Sequence, residues 1–294
     1  MLPNFFVVGA EKAGTTSMYR YLDAHDDVYM SPVKEPLYFA LDPERPKAVD
    51  PNWPYTATIA RDRASYERLF DGVTTETAIG EASTGYLNTT RAAHRIADEV
   101  PGARIIVLLR DPSDRALSAH RMYTSLGLDT ETDFARAIDR ELAGGTRYTY
   151  VRIGFYTGDV NRYLERFGRD RVKILLYEDL GSAPTATMAD VYAFLGVRSD
   201  FVPDTTARFN VATVPRSVRF QQFTKGGSAA KSALKRVLPA SVRATLKQRA
   251  LDWNATAPEA IDPEIRQRLV ALYADDISLL EELIGRDLSA WKQA

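Results

Sequence analysis

Apolar residues gather into four short runs along this chain: 4–9 (NFFVVG), 77–80 (TAIG), 104–109 (RIIVLL) and 172–177 (VKILLY). They are continuous rather than alternating. That is the pattern of a strand covered on both faces, as in a parallel sheet. Between and after them the apolar spacing lengthens to the helical period. Helices are predicted at about 15–24, 88–99, 112–125, 185–195 and 263–283. Asn88 stands before Thr-Thr-Arg as a cap, Pro112 opens a first turn, and Gly285 follows the last helix as a C-cap. Strands separated by helices imply an α/β fold in three layers, with a parallel central sheet of about four or five strands flanked by helices. No internal repeat or low-complexity tract divides the 294 residues, so a single domain over 1–294 is expected.

Two stretches depart from this rhythm. Residues 41–66 are rich in Pro and Asp and are expected as a loop excursion. Residues 205–251 hold no Asp or Glu but ten Lys and Arg, and are expected as a basic helical lid or insert. Two readings of 229–251 stay open. They are a pair of solvated helices on the core, or a surface recruiting an anionic acceptor or a membrane lipid.

Composition narrows the chemistry by exclusion. There are 38 Lys and Arg against 39 Asp and Glu, for a net charge of −1. That argues against a protein coating nucleic acid with its whole surface. Cysteine is absent, which excludes a disulfide scaffold, a Cys-ligated zinc site and thiol catalysis. Three scattered histidines, His25, His94 and His120, do not suggest a metal centre, and none is expected. No stretch approaches the ~20 apolar residues of a membrane span, and no secretory leader is visible, so a cytoplasmic protein is expected.

The most informative segment is the loop after the first run, Gly9-Ala10-Glu11-Lys12-Ala13-Gly14-Thr15-Thr16-Ser17. A buried strand entering a Gly-containing loop and then a helix presents amide groups and a helix N-terminus to an anion. Gly14 permits close backbone approach, Thr15 and Thr16 add hydroxyls, and Lys12 adds a charge. Gly9 and Gly14 have the spacing of a nucleotide P-loop, but the Lys and Ser/Thr that should follow are here Thr15 and Thr16. The form K-x-G-T-[TS] resembles instead the 5′-phosphosulfate loop of sulfotransferases that use 3′-phosphoadenosine 5′-phosphosulfate (PAPS).

A second segment strengthens the resemblance. Arg110-Asp111-Pro112-Ser113-Asp114-Arg115-Ala116-Leu117-Ser118 follows the third run. It is similar to the 3′-phosphate site of the same family, R-[DN]-P-x-x-R-x-x-S. An Arg at the C-terminal end of a strand, with a hydroxyl two turns into the next helix, suits a terminal phosphate. Tyr177-Glu178-Asp179-Leu180 resembles the family's Y-E-D-L segment, which implies Tyr177 near the adenine. Phe209-Asn210 and Pro215-Arg216-Ser217 resemble the segment closing over the 3′-phosphate. That implies Arg216, with Lys225 as a rival.

The resemblance also implies the roles. Lys12 is expected on the leaving phosphate oxygen, with Lys12, Ala13, Gly14, Thr15, Thr16 and Ser17 around the 5′-phosphate. Lys34-Glu35-Pro36-Leu37-Tyr38-Phe39 resembles the K-E-P-x-[FYH]-F stretch of heparan-type and bacterial carbohydrate sulfotransferases, whose Glu is the proposed general base. Glu35 inherits that role, and Lys34 contacts the sulfonate or holds Glu35 ionised. Glu81-Ala82-Ser83-Thr84-Gly85-Tyr86 resembles the family's E-K-[ST]-P-x-Y stretch, with Ala82 in place of its Lys. Glu81 is thus placed either at the acceptor cleft or as a strand cap, and the missing Lys counts against a heparan-like acceptor. The expected activity is in-line transfer of a sulfuryl group from PAPS to a hydroxyl or amine of a carbohydrate, glycolipid or glycosylated natural product, leaving PAP. A P-loop kinase using ATP and Mg²⁺ and a non-catalytic nucleotide-binding protein are the alternatives.

Overall fold

The computed structural model describes residues 1–42, 56–205 and 260–294, with the backbone of 214–215 and 255–256. Five parallel strands form the central sheet: β1 (Phe5–Gly9), β2 (Val28–Met30), β3 (Ala78–Ala82), β4 (Arg104–Leu109) and β5 (Val172–Leu176). Their order is β2-β3-β1-β4-β5. Phe5 to Val8 and Ile105 to Leu109 are fully buried, as unbroken apolar runs require.

Around the sheet stand α1 (Thr15–Asp23), the short α2 (Arg63–Glu67), α3 (Thr90–Glu99), α4 (Pro112–Ser125), α5 (Phe134–Leu142), α6 (Thr157–Phe167), α7 (Tyr177–Ser182), α8 (Pro184–Leu195) and α9 (Pro263–Ile284). α1 packs against β1, β2 and β3, and α6 against β4 and β5. A separate antiparallel pair joins β6 (Val214–Pro215) to β7 (Ala255–Thr256). Among the described residues no helix is long and apolar enough to cross a membrane.

The α/β class and parallel sheet agree with expectation; the differences are local. β2 has only three residues, too few to carry a pattern. α5 and α6 are amphipathic and open on weak signals, although Asp133 caps α5 by accepting from the Arg136 amide at 3.1 Å. The fourth apolar run stops at Leu176, and Tyr177 opens α7 instead.

Two features of the topology aim the chain at one place. Chain order moves to one side of β1 for β2 and β3, then to the other for β4 and β5. The C-terminal ends of β1 and β4 therefore flank the switch point, where open α/β sheets bind ligands. Gly9 is paired with Leu108 across these strands. A Cβ on Gly9 would lie 2.6 Å from the Leu108 carbonyl oxygen, so only glycine lets the two strands end side by side. The C-terminal helix braces the other wall: Arg266 of α9 pairs with Asp111 at 2.9 Å and Asp114 at 3.0 Å.

Candidate active site

The loop between β1 and α1 turns on two residues with positive φ, Lys12 (72°) and Gly14 (90°). Lysine at such a φ is strained, and the chain holds it there while aiming its ammonium inward. Nζ lies 3.6 Å from the sulfur of Met122 on α4. Burial lowers the Lys12 pKa, Glu11 opposes the effect, and the charges of Arg110 and Lys34 add to it. α1 begins at Thr15 with no side-chain cap, so its N-terminus follows directly on the loop. Ala13 and Thr15 are buried within the loop, while Thr16 and Ser17 are half-buried.

Arg110 leaves the end of β4 and donates to the Lys12 carbonyl at 3.2 Å. Its guanidinium lies over the Tyr177 ring, 4.6 Å from the centroid. A Cβ on Gly14 would stand 3.1 Å from Tyr177 Cδ2. Lys12, Gly14, Arg110 and Tyr177, read from three separate segments, thus meet at one sheet edge. Ser118 is buried two turns into α4, and no hydrogen bond among the described residues joins it to Arg110. Arg216, Lys225 and the 229–251 stretch lie outside the described residues.

On the other side of the loop a cleft of about 250 Å³ opens. It is lined by Gly9, Ala10 and Glu11, by Glu35, Leu37 and Thr84, and by Tyr123, Tyr148 and Tyr150. Glu35 is buried and has a positive φ of 62°. Its carboxylate accepts from the Thr84 amide at 2.8 Å, from Thr84 Oγ1 at 3.2 Å and from Lys34 Nζ at 2.6 Å. Its own amide donates to the Ala82 carbonyl at 2.9 Å. Lys34 therefore sits on Glu35, and its charge is also felt at Lys12.

Two residues need a different account from the one their sequence suggested. Glu81 does not line the cleft. It is fully buried, with Tyr66 and Tyr86 hydroxyls on one oxygen at 2.8 and 2.7 Å and Ser83 on the other at 2.7 Å. Of the two readings left open for it, the acceptor-cleft one is not met, because the carboxylate turns into this buried hydroxyl cluster. Burial pushes its carboxyl up to about 7, against the pull of those three donors.

Glu11 was overlooked as a wall of the cleft. Burial raises its pKa, Arg115 and Lys12 draw it down, and the charge of Glu35 adds to the rise. The Tyr123 hydroxyl is 3.4 Å away. Its place between two loop residues already singled out was the available signal. The fully buried Arg115 also donates to the Tyr150 carbonyl, tying that wall to α4.

His25 and His120 are structural. His25 lies against Tyr192 and Phe201, with Nε2 2.9 Å from the Arg198 carbonyl. His120 is buried against Phe134 and Tyr150.

A family model described as "Sulfotransferase family" matches residues 3–201. Human heparan sulfate glucosamine 3-O-sulfotransferase 3B1 is 27% identical over 199 residues, covering 67% of this chain and 47% of that protein. The mouse heparan sulfate glucosamine 3-O-sulfotransferase 6 is 26% identical over 287 residues, covering 97% and 72%. The crystal structure of a sulfotransferase from Alicyclobacillus acidocaldarius superposes over the full length of both chains, with a TM-score of 0.75 and 34% identity. Mouse sulfotransferase SULT7A1 complexed with PAP shares the fold at TM-score 0.52 and 15% identity, covering 96% and 89%. The chain spans about half the length of the 3B1 and 3A1 heparan sulfate relatives.

Proposed function

We propose that this chain, which belongs to the sulfotransferase family, moves a sulfuryl group from PAPS to a hydroxyl of an uncharged carbohydrate or glycosylated molecule. One observation carries the reading. Lys12 follows directly on Gly9 to Glu11, which line the same cleft as Glu35, and the charge of Lys34, paired with Glu35 at 2.6 Å, is felt at Lys12. That neighbourhood supports a cation for a leaving oxygen and a carboxylate for an incoming hydroxyl in one reaction.

The residues present suit the nucleotide by their donor chemistry. The amides opening α1, with the Thr15, Thr16 and Ser17 hydroxyls, are donors for the 5′-phosphate. Arg110, held by the Lys12 carbonyl and the Tyr177 ring, supplies a guanidinium for the 3′-phosphate, with Ser118 as its hydroxyl partner. Tyr177 is 41% exposed, which leaves a ring available beside the adenine. When bound, PAPS supplies an activated sulfur whose bond to the phosphate oxygen is the one broken. Lys12 meets the negative charge developing on that oxygen. Glu35 takes the acceptor proton as the new oxygen–sulfur bond forms, and Thr84 and Lys34 fix its orientation.

The decisive experiment is calorimetric titration with adenosine 3′,5′-bisphosphate (PAP), then with ATP and Mg²⁺. Tight metal-independent binding of PAP is expected. Arg110→Ala should weaken it about 10- to 100-fold, the size of a charge-assisted contact worth roughly 1.5–3 kcal/mol. A preference for ATP with Mg²⁺ would assign the Gly9–Thr16 loop to phosphoryl transfer.

Charge in the cleft supports an uncharged acceptor. Glu11 and Glu35 both line it, and Ala82 takes the place of the family's Lys. Arg147 also lines the cleft, but it is exposed and donates to the Tyr148 hydroxyl at 3.1 Å. With PAPS as donor, p-nitrophenyl β-glucoside should exceed p-nitrophenyl β-glucuronide by tenfold or more in kcat/KM. The reverse order would make the acceptor anionic.

A further inference from the structure

Glu81 is a buried carboxyl that touches the base's support without facing the cleft. It is an acceptor for three hydroxyl groups, and two of those three also hold the segment carrying Glu35. Ser83 Oγ accepts from the Leu37 amide at 3.3 Å, and the Tyr86 hydroxyl accepts from the Phe39 amide at 3.3 Å. Between Glu35 and Phe39 the backbone passes through two positive φ angles, 62° at Glu35 and 54° at Leu37. Neither residue is glycine, so the surrounding contacts must hold the turn against its own preference.

A hydroxyl has one proton to give. An ionised carboxylate only accepts, so Glu81 draws the protons of Ser83, Tyr86 and Tyr66 toward itself. The lone pairs of Ser83 and Tyr86 are thereby turned toward Leu37 and Phe39. We propose that Glu81 is a positioning residue: its ionised carboxylate orients the hydroxyls that hold the 35–39 turn, and so fixes the direction of the Glu35 side chain. This rests on the reading of Glu35 as the base.

Protonating Glu81 removes one acceptor site and adds a donor, so the hydroxyl that meets the protonated oxygen turns its O–H away. Two of the three are those that grip the turn. Titratable groups facing Glu81 are Tyr66 of α2, Tyr86 of its own turn, Tyr163 of α6 and Glu35 itself, all acids. Glu99 stands behind Tyr66, and Arg95 lies over Tyr38 and Phe39 while pairing with Glu99 at 3.0 Å. Burial, with a smaller push from the charge of Glu35 and against the pull of the three hydroxyls, brings the Glu81 titration to about 7, inside the working range of an enzyme.

Hydrogen–deuterium exchange of the 34–40 segment tests this on the full chain without an acceptor. After correction for intrinsic exchange, protection should rise about tenfold between pH 6 and pH 8. In Glu81→Gln it should be low and independent of pH, with kcat on p-nitrophenyl β-glucoside down about tenfold and PAP affinity within twofold of native. Tyr66→Phe, which removes one donor and spares Ser83 and Tyr86, should move the native midpoint to higher pH. Equal protection in native and Glu81→Gln protein at pH 8, a flat native profile, or an unmoved midpoint in Tyr66→Phe would each overturn the proposal. Failure of PAP to bind the native protein would instead sink the assignment of function and leave the exchange result readable.

Discussion

Replacing Lys12 by Ala is expected to lower the rate of sulfuryl transfer by about 10³-fold or more. Removing one donor aimed at developing oxyanion charge typically costs 10²–10³ in kcat. Lys12 should lie at the upper end or beyond it, for two reasons. Its ammonium is partly withdrawn from water against Met122, and charge interactions strengthen in such an environment. It is also held by strained backbone at a φ of 72°, so another side chain has little freedom to replace it. The local architecture should survive, because the Arg110 contact is to the Lys12 backbone carbonyl, which Ala retains. Single-turnover transfer and PAP calorimetry, run on the same preparation, separate the two terms. Transfer should collapse while affinity falls by about tenfold. Retention of a tenth of the native transfer rate would remove Lys12 from the reacting centre.

How much of this was legible in the sequence depended on length and on direction. β1, β4 and β5 were visible because unbroken apolar runs such as RIIVLL fit only a doubly covered strand. β2, with three residues at the sheet edge, carries too short a pattern to show a period. The loop from Gly9 to Ser17 was legible because its geometry is set by local residue types. Glu81 was left between two readings, and Glu11 was overlooked, for the opposite reason. Sequence places both at the ends of strands beside the site, but only packing decides which way each carboxylate faces. Glu81 turns beneath the cleft to meet Tyr66, Ser83 and Tyr86, whose chain positions give no hint of a shared partner. Glu11 turns into it. Tyr177 illustrates a boundary effect: it continues an apolar run yet opens a helix, and only so can its ring lie under Arg110.

Glu35→Gln is expected to lower kcat by 10²- to 10⁴-fold, the usual range for loss of a general base, while PAP affinity stays within twofold. Glutamine keeps the volume and fits the same turn. It cannot take a proton, and its amide presents two donors where the carboxylate only accepted. With its oxygen toward the Thr84 amide, its NH₂ group must face the Lys34 ammonium, and that pair breaks. The variant therefore changes two things, the base and its ion pair. Lys34→Ala distinguishes them, because it removes the pair and leaves the carboxylate held by the Thr84 amide and hydroxyl. If Glu35 acts as the base, Lys34→Ala should lose far less than Glu35→Gln, on the order of tenfold, in keeping with an ion pair that is only partly screened from water. If the two variants lose equally, Glu35 serves to anchor Lys34, and the proton is taken by another group in the cleft. Glu11, the second carboxylate lining that space, would then be the next residue to replace.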